Sequence, residues 1–393
     1  MPENKPGVAF FEGNSWYHRI RTLQPDGTVK HSKKRGFKTA DDAAKSYALY
    51  EETFKKSLRK YQAEQGKIVD FGLKDYLIYW FEELYSFRIE NTTRMLGAYT
   101  LYKLILPCIV SDIKLKFVNA DYLDALLETA SKACPSAGNS CREFLGMALN
   151  EAVVSGYLKN NPILKTKRYP RRKPEIILLG KSRMKIFLKA ASQSEWYLEI
   201  LLGLFCGLRK GEILGLKFTD FDYENNTVTI RRQITANPIV RKGDSKIEEY
   251  QRIEKEPKTE NSYRTLRVPE EIMEELQKRK QFIGQWKEKG DFIDLDYISC
   301  QKNGLSHALS AMNIALTKIC SRNGLPHITV HGLRHMYATI LAEQGVSLPK
   351  ISALLGHSSV TTTFEYYCDV MDENENIINY LNEQFTMEGD MGG

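Results

Sequence analysis

No Lys or Arg follows Lys350, although eight acidic side chains lie beyond it. No apolar run reaches the ~20 residues that a membrane-spanning helix requires. The opening residues, MPENKPGV, are polar and carry neither the hydrophobic stretch nor the cleavage site of a secretory signal. A cytoplasmic protein without membrane contact is expected. Cysteine is sparse and odd in number: seven residues, at 108, 134, 141, 206, 300, 320 and 368, with no Cys-x-x-Cys pair. That pattern points to buried free thiols in a reducing compartment rather than to a disulfide framework. Internal repeats and low-complexity tracts are also absent.

What is present is ordinary globular chain, 42% hydrophobic and 27% charged, and 393 residues are enough for two or three domains. The net charge of +7 matters less than where it sits. Residues 1–62 hold thirteen basic side chains and seven acidic ones, and KNNPILKTKRYPRRK at 159–173 holds seven basic and none acidic. Each run alone is compatible with a solvated face or a linker. Together, two basic segments favour a polyanion, whose counterions they release on binding.

Patterning divides the chain into four parts. Residues 1–64 read as strands VAFFEG, SWYHRIRTL and TVKHSKKRGF, with a turn at Pro25-Asp26-Gly27, followed by a helix capped by Thr39 with Asp41 and Asp42 in its first turn. Trp16, Arg19, Arg21, Lys33, Lys34 and Arg35 lie on those strands or their turns, and such a sheet can enter a major groove. Residues 68–160 carry four amphipathic helical segments, a compact bundle. Residues 161–176, with Pro162, Pro170 and Pro174, read as an extended basic connector. From 177 to 393 helices are expected at 181–193, 195–217, 269–288, 307–323, 331–345, 348–357 and 374–385. Strands are expected in NTVTIRRQIT, EYQRIEKEP and YRTLRVP.

Several polar residues stand out against this background. In HGLRHMYATILAEQG, His331, Arg334 and His335 fall within one helical turn of each other on an otherwise apolar helix, where charge must be paired or employed. An anion would satisfy them. His327, His331 and His335 also have a zinc-like spacing, but Arg334 between them would repel a divalent ion, and Pro326 argues against placing His327 on the helix. A core role is the alternative for His335. In FCGLRKGEILGL, Arg209 and Glu212 are spaced to pair, which would hold the guanidinium fork rigid for a phosphate; a plain salt bridge fits as well. Lys258 sits in a turn between two strand-like runs. His357 follows Gly356 in LLGHSSVTTTFEYYCDV, and two tyrosines come after it. A phenol titrates near ~10 and needs neighbouring positive charge or a base to act as a nucleophile.

In this order and at these separations, GLRKGEIL, PKT, HGLRH, LLGHSS and a tyrosine ten residues on resemble the tyrosine recombinases, the integrase class of phages and conjugative transposons. The resemblance covers the whole chain. It implies a multidomain, mainly α protein: a three-stranded sheet plus helix as an arm-type DNA-binding domain, a helical core-binding domain, and a mixed, mainly α catalytic domain with a small antiparallel sheet. It further implies that Tyr367 attacks a scissile phosphodiester, that Arg209 and Arg334 hold the non-bridging oxygens, and that Lys258 protonates the leaving 5′-oxygen. His331 would assist proton transfer and His357 would bond the phosphate. No metal or other cofactor is required. The implied partners are double-stranded DNA at core and arm-type sites, further copies of the chain in a tetramer, and an excisionase or DNA-bending host factor.

The nucleophile is Tyr366 or Tyr367, and the positions of Phe364 and Val370 favour Tyr367. Asp369 stands where many relatives show a histidine. ENIINYLNEQF, near the end of the chain, is apolar on one face and could dock on a neighbouring copy or fold back on its own core. Alternatives to a recombinase are a topoisomerase-like enzyme with the same tyrosine chemistry, and an inert DNA-binding regulator of the same fold. A metal-dependent transposase would need a carboxylate cluster that this sequence does not group.

Overall fold

The structure is a computed structural model that describes residues 8–24, 28–64, 71–134, 136–169, 177–257, 260–288 and 290–357. Lys258, Tyr366, Tyr367 and the segment 374–385 lie outside the described residues. The chain divides into two compact units: Met1–Pro174 with Ala236–Gln251, and Glu175–Thr235 with Arg252–Gly393.

The first unit opens with an antiparallel sheet in the order β1 (Phe10–Glu12), β2 (Ser15–Leu23), β3 (Val29–Phe37), followed by α1 (Ala40–Glu64). The helix starts where expected: Thr39 Oγ1 accepts the Asp42 N–H at 3.1 Å and donates to the Asp42 carboxylate at 2.7 Å. Ala40 and Ala43, small enough to let α1 approach the sheet, bury Trp16 to 1% exposure. The basic residues of this sheet differ from one another in role. Arg21 is buried against Glu51, and Arg19 donates to the Phe87 carbonyl. Lys33 and Arg35 remain largely exposed beside Glu12, and Lys34 donates to the Tyr50 hydroxyl at 2.9 Å. Trp16, Arg19 and Arg21 are therefore spent on the fold, which leaves Lys33, Lys34 and Arg35, of these six, on the outer side of the strand pair.

The bundle comprises α2 (Leu73–Tyr79), α3 (Asn91–Tyr99), α4 (Ala120–Ser131) and α5 (Ala137–Val154), with α2 and α3 each continued by a π-helical turn. Cys141, Phe144, Leu145, Ala148, Leu149 and Ala152 repeat at three- and four-residue intervals on α5, and all are buried. Gly97 is required by close approach, since a Cβ there would lie 2.7 Å from the Phe81 ring. The connector differs from the extended reading at its start. Pro162–Lys165 forms a helical turn, Ile163 is buried, and Arg142 donates to the Thr166 hydroxyl and the Ile163 carbonyl, both at 3.0 Å. The remainder of the connector, 170–176, lies outside the described residues.

The second unit contains α6 (Lys181–Ala191), α7 (Tyr197–Phe205), α8 (Lys210–Gly215), β4 (Phe221–Asp222) and β5 (Thr227–Ile230). Strands β6 (Gln233–Val240) and β7 (Ile247–Lys255) pair as a hairpin, and their outer part, Ala236–Gln251, belongs to the first unit. There, Glu82 accepts the Gly243 N–H at 2.9 Å and the Tyr102 hydroxyl at 2.8 Å. The chain continues with β8 (Arg264–Arg267), α9 (Glu270–Lys287), α10 (Ala311–Arg322), α11 (Val330–Glu343) and α12 (Leu348–Leu355). Sheet β4-β5-β8 is antiparallel, and Val228, Ile230 and Leu266 point into the core. At its centre α7, buried along nearly its whole length, packs on α11, with Gly203 against Leu333. The expected single helix over 195–217 is two helices. Gly207, at φ 62°, turns the chain between them, and a Cβ there would lie 2.4 Å from the Tyr337 ring. No helix among the described residues is long and apolar enough to cross a membrane.

Candidate active site

Three turns of the second unit carry the polar residues. Arg209 precedes α8 with extended backbone, and Glu212 reaches back to it: the Arg209 N–H donates to Glu212 Oε2 and its Nη1 to Oε1, each at 2.8 Å. The expected Arg209–Glu212 pair is therefore formed. Arg209 Nη2 donates to the Gly356 carbonyl at 2.7 Å, which ties the start of α8 to the end of α12.

Helix α11 begins one residue before His331, because the Thr329 hydroxyl accepts the Gly332 N–H at 3.1 Å. His331 and Arg334 thus stand in its first turns, where the helix dipole already presents partial positive charge. Arg334 is 2% exposed and is held by main-chain oxygens: Nη1 donates to the Gly207 carbonyl at 2.8 Å and Nη2 to the Leu355 carbonyl at 2.7 Å. The His331 and His335 rings meet edge to face, their centroids 4.3 Å apart. His335 is buried, in keeping with a packing role. His327 precedes the helix, with its Nε2 hydrogen-bonded to Thr317 Oγ1 at 2.9 Å.

Helix α12 ends at Gly356 in left-handed backbone, φ 66°, and this brings His357 back over the site, its N–H donating to the Ser352 carbonyl at 3.0 Å. Asn261 Nδ2 reaches the His357 carbonyl at 3.3 Å. Arg209, His331, Arg334 and His357 are accordingly brought together, and they feel one another. Burial first, then the Arg334 and Arg209 charges, lower the His331 pKa, and the same causes, aided by His331 and His335, push His357 down to about 4. Burial, with His331 and Arg334 beside it, takes His335 to about 4 as well. The histidines are therefore neutral near neutral pH. Burial pushes the Glu212 carboxyl up, but its hydrogen bonds with Arg264 and the Arg264 and Arg209 charges outweigh that and hold it below the usual range.

Two fixed guanidiniums beside neutral imidazoles can grip the oxygens of a tetrahedral anion and exchange a proton with a group bound to it. Arg264, which sequence reasoning passed over, proves to share Glu212 with Arg209. Its signal was only a basic residue in an alternating strand. A cleft of about 980 Å³ in this unit, lined by Trp196, Arg279, Phe282 and His307 among others, includes none of the four site residues.

Residues 181–374 match the model of the phage integrase family. A tyrosine recombinase XerC-like protein of Caldanaerobacter subterraneus subsp. tengcongensis is 34% identical over 62% of this chain and 64% of its own length. The transposase from transposon Tn916 of Enterococcus faecalis is 29% identical over 49% of this chain and 48% of its own. The chain thus spans under two thirds of the length of these curated relatives. Among solved structures, the Tn1549 transposon integrase bound to transposon right end DNA matches with a TM-score of 0.62 at 17% identity, over 76% of this chain and 95% of that one. A lambda integrase tetramer bound to a Holliday junction matches with a TM-score of 0.56 at 18% identity, over 91% and 98%. At such identities these two establish the fold.

Proposed function

We propose that the chain, whose residues 181–374 match the phage integrase family and which is similar to a XerC-like tyrosine recombinase, is the site-specific recombinase of a mobile element, cutting and rejoining DNA for integration and excision. The observation that carries this reading is the convergence of Arg209, His331, Arg334 and His357 from three separate turns onto one place. Tyr367 Oη attacks the scissile phosphorus, the bond to the 5′-oxygen breaks, and a 3′-phosphotyrosyl link remains. The tyrosine proton passes to neutral His331. Lys258 supplies a proton to the departing 5′-oxygen, and His357 donates to a phosphate oxygen.

Charge that accumulates on the non-bridging oxygens is met by Arg209 and Arg334, whose anchorage to main-chain carbonyls means that little rearrangement is needed when the charge appears. The covalent link conserves the energy of the broken bond, so rejoining to another strand needs neither metal nor nucleotide. The tetramer and DNA described for the lambda integrase structure support assembly of this chain on DNA as a tetramer, with strand exchange in pairs. The sheet unit 1–64 binds arm-type sites and the bundle 68–160 binds core sites; 161–176 joins them to the catalytic part, 177–393. An excisionase or a DNA-bending host factor sets direction.

The test is covalent capture. Incubated with a nicked duplex from the ends of its own element, the wild type and Tyr366→Phe form a protein–DNA adduct, and Tyr367→Phe does not. Loss with Tyr366→Phe alone would transfer the role to the neighbouring phenol, and no adduct from any of the three proteins would end the recombinase reading. Cleavage that persists in a chelator separates this chemistry from a two-metal strand transfer.

A further inference from the structure

One buried carboxylate serves two guanidiniums. Glu212, 3% exposed at its side chain, accepts from Arg209 as described and also from Arg264, whose Nη1 and Nη2 lie 3.1 and 2.9 Å from Oε1 and Oε2. Arg264 is itself 7% exposed at its side chain and uses its other donors on main chain. Its Nε donates to the Leu354 carbonyl at 2.7 Å and its Nη1 also to the Ser262 carbonyl at 3.1 Å. One planar fork therefore joins three segments: the cap of α8 that holds Arg209, the chain at Ser262 just before β8, and the last turn of α12 that leads into His357. The fit at this junction is close, since a Cβ on Gly356 would lie 2.8 Å from the Asn261 carbonyl oxygen and 3.0 Å from Arg264 Nη1.

Charge counting gives this arrangement a purpose. A carboxylate bound to Arg209 alone would cancel the positive charge that has to meet a phosphate. With Arg264 on its other side, Glu212 keeps its role as a cap while the trio retains one net positive charge. A lysine carries the charge but not the fork, so it cannot hold all three partners.

We propose that Arg264 is a positioning residue for strand cleavage: it neutralises Glu212 and pins the 354–357 turn, so that Arg209 faces the scissile phosphate with its charge undiminished and His357 in register. This rests on the recombinase reading, and its test separates the two. Full-length wild type, Arg264→Gln and Arg264→Lys are compared for folding by circular dichroism, for duplex binding by gel shift, and for single-turnover cleavage of a nicked duplex. One duplex carries a normal scissile phosphate. In the other a methyl group replaces a non-bridging oxygen and removes the negative charge.

Arg264→Gln is expected to bind within about threefold of wild type and to cleave the normal duplex about 100-fold more slowly, with Arg264→Lys recovering about tenfold of that. On the methylphosphonate duplex the deficit should shrink to below about tenfold, because an uncharged centre asks less of Arg209. A folded Arg264→Gln that cleaves the normal duplex within about threefold of wild type overturns the proposal. So does an equal deficit on both duplexes, which would mark a role in packing alone. If Arg264→Gln does not fold, the double variant Glu212→Gln/Arg264→Gln removes the buried charges together. It is expected to fold and to outpace Glu212→Gln/Arg264→Met, whose amide cap lacks a polar neighbour, and equal rates for the two would refute the coupling. Failure of wild type to form any adduct counts against the recombinase reading itself.

Discussion

At the scale of single residues, the site combines cations that cannot lose their protons with imidazoles that have lost theirs. Guanidiniums stay charged throughout the biological pH range, and the neighbouring histidines are kept neutral by burial and by those same charges. Replacing Arg334 by Lys should therefore reduce single-turnover cleavage by about 10²–10³-fold while duplex binding changes little, since one ammonium cannot serve the Gly207 and Leu355 carbonyls and a phosphate together. The histidines also make stability depend on pH. His335 and His357 have folded values of about 4 against 6.5 for the free side chain, so the native state binds fewer protons than the unfolded chain between those limits. Their contribution is complete above the unfolded value and is lost as pH falls toward the folded one. The drop in Tm from about pH 7 to about pH 5 should accordingly be smaller in His335→Gln than in wild type, measured by scanning calorimetry. An equal drop would mean that His335 titrates normally. The grouping of Arg209, His331, Arg334 and His357 could be anticipated from the short stretches GLRKGEIL, HGLRH and LLGHSS, which the structure brings together. Arg264 was not legible, because a basic residue in an alternating strand looks like any solvent-facing one until its partners from α8 and α12 are in place.

At the scale of elements, glycines in left-handed backbone decide where the site residues fall. Apolar spacing runs unbroken through 195–217, so periodicity alone reads one helix. The break at Gly207 follows from φ 62°, a conformation the hydrophobic pattern does not encode. Gly207→Ala should cost about 2 kcal/mol or more of stability, from backbone strain and the clash with Tyr337, in equilibrium urea unfolding. It should also slow cleavage in whatever fraction stays folded, because the Gly207 carbonyl holds Arg334. A variant as stable and active as wild type would show that the turn accepts a side chain after all. The caps were easier to anticipate. Thr39 and its acidic neighbours mark a helix start in sequence and in space alike, because a hydroxyl three residues before a free N–H needs no tertiary partner. The strands were placed less well: the run NTVTIRRQIT is divided between β5 and β6, which belong to different sheets. Strand β7 pairs with β6, and β8, the next strand in the chain, pairs with β5, so β7 and β8 do not form a simple hairpin.

At the scale of the whole molecule, charge is distributed by task. A net charge of +7, concentrated in 1–62 and 159–173, should make duplex affinity fall steeply with salt, with a log–log slope set by the number of phosphates contacted. Replacing Lys33, Lys34 and Arg35 together by Gln should flatten that slope on arm-type DNA and leave it unchanged on a duplex with the core site alone; an equal effect on both would argue against a dedicated arm-binding face. Removal of residues 371–393 should weaken assembly on a synapsed site in sedimentation, whereas unchanged assembly would count against docking of that segment on a neighbour. The inward turn of Arg19 and Arg21 was not readable from patterning, since it depends on Phe87 and Glu51, which no strand pattern points to. The arginines of the site carry a last implication. Gly207, Leu355 and Gly356 hold them through carbonyl oxygens, which every amino acid possesses. The hold therefore depends on the path of the chain, and at Gly207 and Gly356 that path itself requires glycine. The purchase on both guanidiniums is thus only as secure as those two left-handed turns.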